Sequence, residues 1–115
     1  MKVIFFTQDL MFSGRIASAA SAAGAELEEV MNAEVLLDSA ANGCDLVILD
    51  LATSSVVASL QDVVPKLKSL EQPPTVLAYG PHVQESNLEL ARESGCDQVM
   101  SRGQFNSSLG QLFTN

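Results

Sequence analysis

No apolar run in the chain approaches the roughly 18 residues that a membrane span needs. The opening MKVIFF is followed at once by Thr7, Gln8 and Asp9, so its apolar stretch is too short for the central region of a secretory signal. A soluble, cytoplasmic protein without membrane association is expected. Basic residues are scarce: six against fourteen acidic ones, a formal charge of −8. Lys2, Arg15, Lys66, Lys68, Arg92 and Arg102 are scattered, whereas phosphate backbones demand a concentrated positive surface, so nucleic acid is not an expected partner. The two cysteines, Cys44 and Cys96, lack metal-ligand spacing, and the one histidine is His82. They read as small buried thiols. Glycine-rich phosphate loops, zinc motifs and dinucleotide fingerprints are missing as well.

What is present is a globular composition, 47% hydrophobic and 17% charged over 115 residues. Disorder is excluded, and a chain of this length buries about two thirds of the surface it exposes when unfolded. Residues 1–115 read as one domain.

Apolar periodicity alternates between short strands and amphipathic helices, the pattern of an α/β domain with a parallel sheet. KVIFF (2–6) is a strand covered on both faces. Phe12, Ile16, Ala19, Ala20 and Ala23 recur at helical spacing between Met11 and Gly24, with Asp9 or Ser13 as cap. A more polar edge strand is expected at 25–31 and a helix at 33–43. DLVILD (45–50) is the most apolar strand and hence central. Ser55 to Leu70 is helical in period, although Pro65 should kink or shorten it. A strand between proline signals (73–81), a helix over 84–94 and a strand at 98–101 follow. Phe105, Leu109, Leu112 and Phe113 mark a short last helix.

Five such units give a flavodoxin-like, doubly wound five-stranded parallel sheet of order 2-1-3-4-5 with helices on both faces. Its ligand crevice lies at the carboxyl ends of strands 1 and 3. Asp9 follows strand 1 and Asp50 ends strand 3, so both fall at that crevice, while Asp45 belongs to the opposite rim. Cys44 and Cys96 start strands 3 and 5, roughly 10 Å apart with strand 4 between them, too far for a disulfide.

The LVILD strand, the run ARESGCDQVMSR and the order and length of the elements together resemble the response-regulator receiver domains of two-component signalling, over essentially the whole chain. The resemblance implies that Asp50 stands at the phosphoryl-acceptor position. A carboxylate that attacks phosphorus needs the charge on the transferring oxygens neutralised. In receivers this is done by Mg²⁺ on an acidic pair after strand 1, a hydroxyl ending strand 4 and a lysine ending strand 5. Here Thr7 and Gln8 fill the acidic positions with Asp9 one place late. Asp9, Asp50 and the carbonyl of Ala52 are the metal ligands that remain. Gly80 replaces the hydroxyl, Val99 the switch aromatic, and Arg102 the lysine, with Gly103 after it in place of proline. LATSS replaces the usual methionine–proline segment after the acceptor. The pattern resembles a degenerate, or pseudo-, receiver.

Each residue also has a structural role open to it. Asp50 suits an anchor for Arg102, whose fork fits a bidentate carboxylate and does not substitute simply for lysine. Asp9 suits an N-cap, Thr53, Ser54 and Ser55 suit either a helix cap or an anion cradle, and His82 is a solvated loop histidine or an acid–base group. Cobalamin-binding relatives of this architecture need a histidine loop after strand 1, and TQDLMFSG has none.

The leading expectation is a non-enzymatic receiver-like domain that docks a protein partner, with a degraded phosphorylation site and no required cofactor. The alternative is a phosphoryl-accepting receiver using Asp50 and Mg²⁺. The resemblance names a histidine kinase or an output protein as partner, or a second copy in a homodimer. The docking face is expected on the fourth helix, fifth strand and last helix. Leu88 and Leu90 lie about 200° apart on the fourth helix, and Leu88 is taken as the exposed one.

Overall fold

The computed structural model describes residues 1–113. Ten elements alternate along the chain: β1 (Lys2–Phe6), α1 (Leu10–Ala22), β2 (Glu26–Val30), α2 (Ala33–Ala41), β3 (Leu46–Asp50), α3 (Ser54–Lys68), β4 (Thr75–Gly80), α4 (Glu85–Ser94), β5 (Gln98–Ser101) and α5 (Arg102–Leu112). The strands form one parallel sheet in the order β2-β1-β3-β4-β5. This is the flavodoxin-like order expected from the sequence.

The sheet is buried on both faces, which is why its central strands read as unbroken apolar runs. Ile4, Phe6, Val47, Leu49, Val76 and Ala78 pack with Leu36 of α2, Leu60 of α3 and Ala91 of α4. Val3, Phe5, Ile48, Leu77 and Tyr79 pack with Ile16 of α1 and Phe105 of α5. Phe5 and Ile48 are register partners, as are Asp50 and Tyr79. Register partners in a parallel ladder share a face, so Asp50 and Tyr79 both stand on the α1/α5 side.

Three local expectations are corrected. Pro65 does not shorten α3, which runs on to Lys68. The proline is on the exposed side of the helix, and Val63, Val64 and Leu67 around it are fully buried, so packing holds the last turn despite the missing donor. Cys44 and Cys96 are free, but half-buried rather than buried. Leu88 is not exposed: its relative exposure is 7%, and it packs with Ala91 in the core shared by α3 and β4. At about 100° per residue, Ala91 lies about 60° from Leu88 around the helix and about 100° from Leu90. The contact that buries Ala91 therefore draws Leu88 inward and leaves Leu90 half-buried.

Candidate functional site

The carboxyl ends of β1, β3 and β4 and the starts of α1, α3 and α5 bring Thr7, Asp9, Asp50, Thr53, Tyr79 and Arg102 to one rim. Asp50 is 1% exposed. A buried carboxylate needs donors to offset its desolvation, and three are supplied from within the chain. Thr7 Oγ1 donates to Asp50 Oδ2 at 2.7 Å, Thr53 Oγ1 donates to the same oxygen at 3.0 Å, and the Ala52 N–H donates to Oδ1 at 2.9 Å. The threonines are themselves fixed. Thr7 Oγ1 accepts from the Asp9 N–H and Thr53 Oγ1 from the Gln8 N–H. Asp50 thus pins the loop after β1 to the start of α3. Thr53 occupies the N-cap of α3 without a capping hydrogen bond; its Oγ1 instead donates to Asp50 and accepts from the Gln8 N–H.

Asp9 caps α1. Its Oδ1 accepts from the N–H groups of Met11 (3.1 Å) and Phe12 (3.3 Å). Its Oδ2 accepts from Arg102 Nη2 at 3.0 Å. The Phe12 N–H, together with Arg102 and the Met11 N–H, holds the Asp9 carboxyl below its usual range against an opposing desolvation. The guanidinium also lies 4.6 Å from the centroid of the Phe12 ring, a cation–π geometry.

The ion pair expected between Arg102 and Asp50 is therefore not formed; the partner of Arg102 is Asp9. The cause is local. Ser101 caps α5 in a reciprocal capping box with Gln104, so Arg102 is the first residue of a helix rather than the last of a strand. From there its side chain crosses to the start of α1. The signal was readable as Ser101-x-x-Gln104. The hydroxyl of Thr7 was the functional group that sequence reasoning missed, because Thr7 was read only as a missing acid.

Gly80, read from the sequence as standing in place of a hydroxyl at the end of strand 4, is held glycine by space. A Cβ built there would come 2.8 Å from Leu51 Cβ, and Leu51 is tied to β4 by its N–H bond to the Tyr79 carbonyl (2.8 Å). Beside it the Tyr79 ring stacks on Phe105, with centroids 4.0 Å apart and planes 3° from parallel. Its phenol is buried without a hydrogen-bond partner among the described residues. Burial, then the nearby Asp50 charge, pushes its ionisation far above the usual tyrosine range.

The remaining candidates are dispersed. His82 is exposed after β4 and lines an open groove with Glu85, Glu89 and Arg92. Ala52 is exposed and contributes its N–H to Asp50. These residues do not fit a bound Mg²⁺, which wants oxygen ligands from one or more free carboxylates. Both oxygens of Asp9 already accept hydrogen bonds, one of them from a cation, and both oxygens of Asp50 accept as well. Among the described residues no three His, Cys, Asp or Glu side chains are grouped to hold a metal ion.

Sheet order, helix placement and an aspartate closing β3 define the class: this is the fold of response-regulator receiver domains. Among solved structures, the receiver domain of sensor histidine kinase PA1611 from Pseudomonas aeruginosa, with a magnesium ion coordinated in its active site cleft, matches with a TM-score of 0.78 at 10% identity, over 97% of this chain and 93% of that one. A CheY-like protein, tadZ, from the same organism matches with a TM-score of 0.77 at 19% identity, over 97% and 95%. A chain of the co-crystal of the Saccharomyces cerevisiae histidine phosphotransfer signaling protein Ypd1 with the receiver domain of its downstream response regulator Ssk1 matches with a TM-score of 0.71 at 14% identity, over 89% and 78%. At such identities the likeness is one of fold. No family model and no curated protein matches the sequence.

Proposed function

We propose that residues 1–115 form one receiver-like domain that acts in signal transduction by binding a protein partner, without phosphoryl transfer and without a cofactor. The observation that carries this reading is the internal commitment of the rim: Asp50 is occupied by Thr7, Thr53 and Ala52, and Arg102 by Asp9. An acceptor carboxylate must present a free oxygen to phosphorus and a cation to the leaving charge. Here both have been turned into structural links, and Gly80 supplies no hydroxyl.

A phosphoryl-accepting receiver is the second reading. It is favoured by the place of Asp50 at the end of β3 and by the magnesium in the cleft of the Pseudomonas receiver. It requires Arg102 to leave Asp9 and the threonine hydroxyls to release Asp50. Incubation with Mg²⁺ and acetyl phosphate, followed by intact mass, separates the two. The unmodified mass is expected; stoichiometric phosphorylation that is lost in Asp50→Asn would establish the second reading instead.

A further inference from the structure

Two helix starts leave large apolar side chains in water. At α1 Met11 is 94% exposed and Leu10 66%; at α2 Met31 is 54% exposed and Val35 43%. Ile16 of α1 packs with Phe5 and Tyr79 on one face of the sheet, and Leu36 of α2 with Ile4 and Val47 on the other. These are two patches on opposite faces, and they do not meet within one chain. Each carries charge beside it, and the signs are opposite. Arg15, exposed, follows Met11 by four positions and so shares its side of the helix; it is the only charged side chain of α1. Glu34 and Asp38, exposed, follow Met31 and Val35 by three positions each and are the only charged side chains of α2.

None of these charges is met within the chain. Lys2, Lys66, Lys68, Arg92 and Arg102 each pair with a carboxylate, and Arg102 thereby neutralises Asp9 at the head of α1. Arg15 instead donates to the neutral Asn106 Oδ1 at 2.7 Å. Among the described residues it has no acidic partner, and Glu34 and Asp38 have no basic one. In a chain with fourteen acids an exposed arginine without a carboxylate is the exception, and its complement stands on the opposite face of the same molecule.

We propose that the two patches cover each other between copies. The start of α1 of one molecule docks on the start of α2 of the next, Leu10 and Met11 against Met31 and Val35, with Arg15 toward Glu34 and Asp38. Charge selects this pairing: α1 on α1 sets arginine against arginine, and α2 on α2 sets acid against acid. Methionine on both sides adapts to such a surface without a preformed pocket. The contact joins unlike patches and is therefore heterologous. It goes beyond the reading given above and does not depend on it, since phosphorylation of Asp50 would overturn that reading and leave this contact in place.

Sedimentation velocity over rising protein concentration should show self-association, in about 0.15 M salt so that repulsion between acidic copies is screened beyond about 8 Å. Unlabelled protein added to isotopically labelled protein should shift amides at both helix starts, 10–15 and 31–38. Arg15→Glu, Glu34→Arg/Asp38→Arg and Met11→Ser/Met31→Ser should each weaken association by at least about ten-fold. An equimolar mixture of Arg15→Glu with Glu34→Arg/Asp38→Arg should associate again, because the reversed patches match. Glu85→Arg/Glu93→Arg, the same change of net charge placed on α4, should not weaken association. All the substituted positions are exposed, and the variants' amide spectra confirm that they fold. A chain that stays monomeric at every concentration, whatever else the patches then bind, would overturn the proposal. So would shifts centred elsewhere, association unchanged in any of the three weakening variants, association lost in the α4 variant, or a mixture that stays apart.

Discussion

Arg102 and Asp9, 93 positions apart in the chain, meet at 3.0 Å, with the guanidinium lying over Phe12. One contact thereby joins the starts of α1 and α5 and turns Arg102 away from Asp50. Replacing Asp9 by Ala removes the α1 cap and this partner together, at a cost of about 1–2 kcal/mol in chemical denaturation. The ion pair is partly exposed, so a cycle with Arg102→Ala should return a coupling of no more than about 1 kcal/mol.

The same carboxyl sets an acid limit. Its folded-state pKa lies below the unfolded value because of the Phe12 N–H first and Arg102 and Met11 besides. A depressed carboxyl stabilises the fold above its unfolded pKa, about 4, and that stabilisation is lost as the pH falls through the folded value. Thermal melts of wild type and Asp9→Asn should differ at neutral pH and converge as the pH falls through the lowered folded-state value. Parallel curves over that range would mean that Asp9 is not the linked group.

Asp50→Ala removes the acceptor for two hydroxyls and an N–H in a buried place. The loss should be about 2–4 kcal/mol, with Asp50→Asn costing less because one oxygen remains. Destabilisation under about 0.5 kcal/mol in Asp50→Ala would show that the network does not hold the rim.

Restoring a hydroxyl at position 80 should fail on space alone. Gly80→Ser and Gly80→Ala both place a Cβ against Leu51, and overpacking of this kind costs about 1–3 kcal/mol. The double variant Gly80→Ala/Leu51→Gly should show positive coupling, since only loss of the Leu51 Cβ relieves the clash. Simple addition of the two losses would refute the steric account.

Leu88→Asp should unfold the domain rather than alter its association. An unpaired carboxylate among Ala91 and the α3 core costs upward of about 3 kcal/mol, whereas Leu90→Asp is milder. A folded Leu88→Asp protein with wild-type stability would contradict the burial seen here.

The elements were legible because β1, β3 and β4 carry apolar runs and α1, α2 and α4 close at recognisable glycine signals. Gly24, Gly43 and Gly95, for example, all adopt positive φ. The positions of Asp9 and Asp50 at the rim followed from topology. The pairing did not, because whether Arg102 reaches Asp50 or Asp9 depends on where α5 begins, and one residue of helix start redirects a long side chain. Leu88 was misplaced for a related reason. Helical spacing ranks faces relative to one another, but the neighbours that fix the absolute rotation of α4 come from α3 and β4.

Tyr79 is the chain's one tyrosine, and there is no tryptophan. All tyrosine light emission and near-ultraviolet dichroism therefore come from a ring stacked on Phe105, next in the sheet to Asp50. The protein carries its own optical probe at the rim. Any event that moves Asp50 or shifts α5 should change this signal. In alkali, phenolate absorbance should rise only as the fold is lost, in one step with unfolding, since the buried ring cannot ionise while α5 covers it.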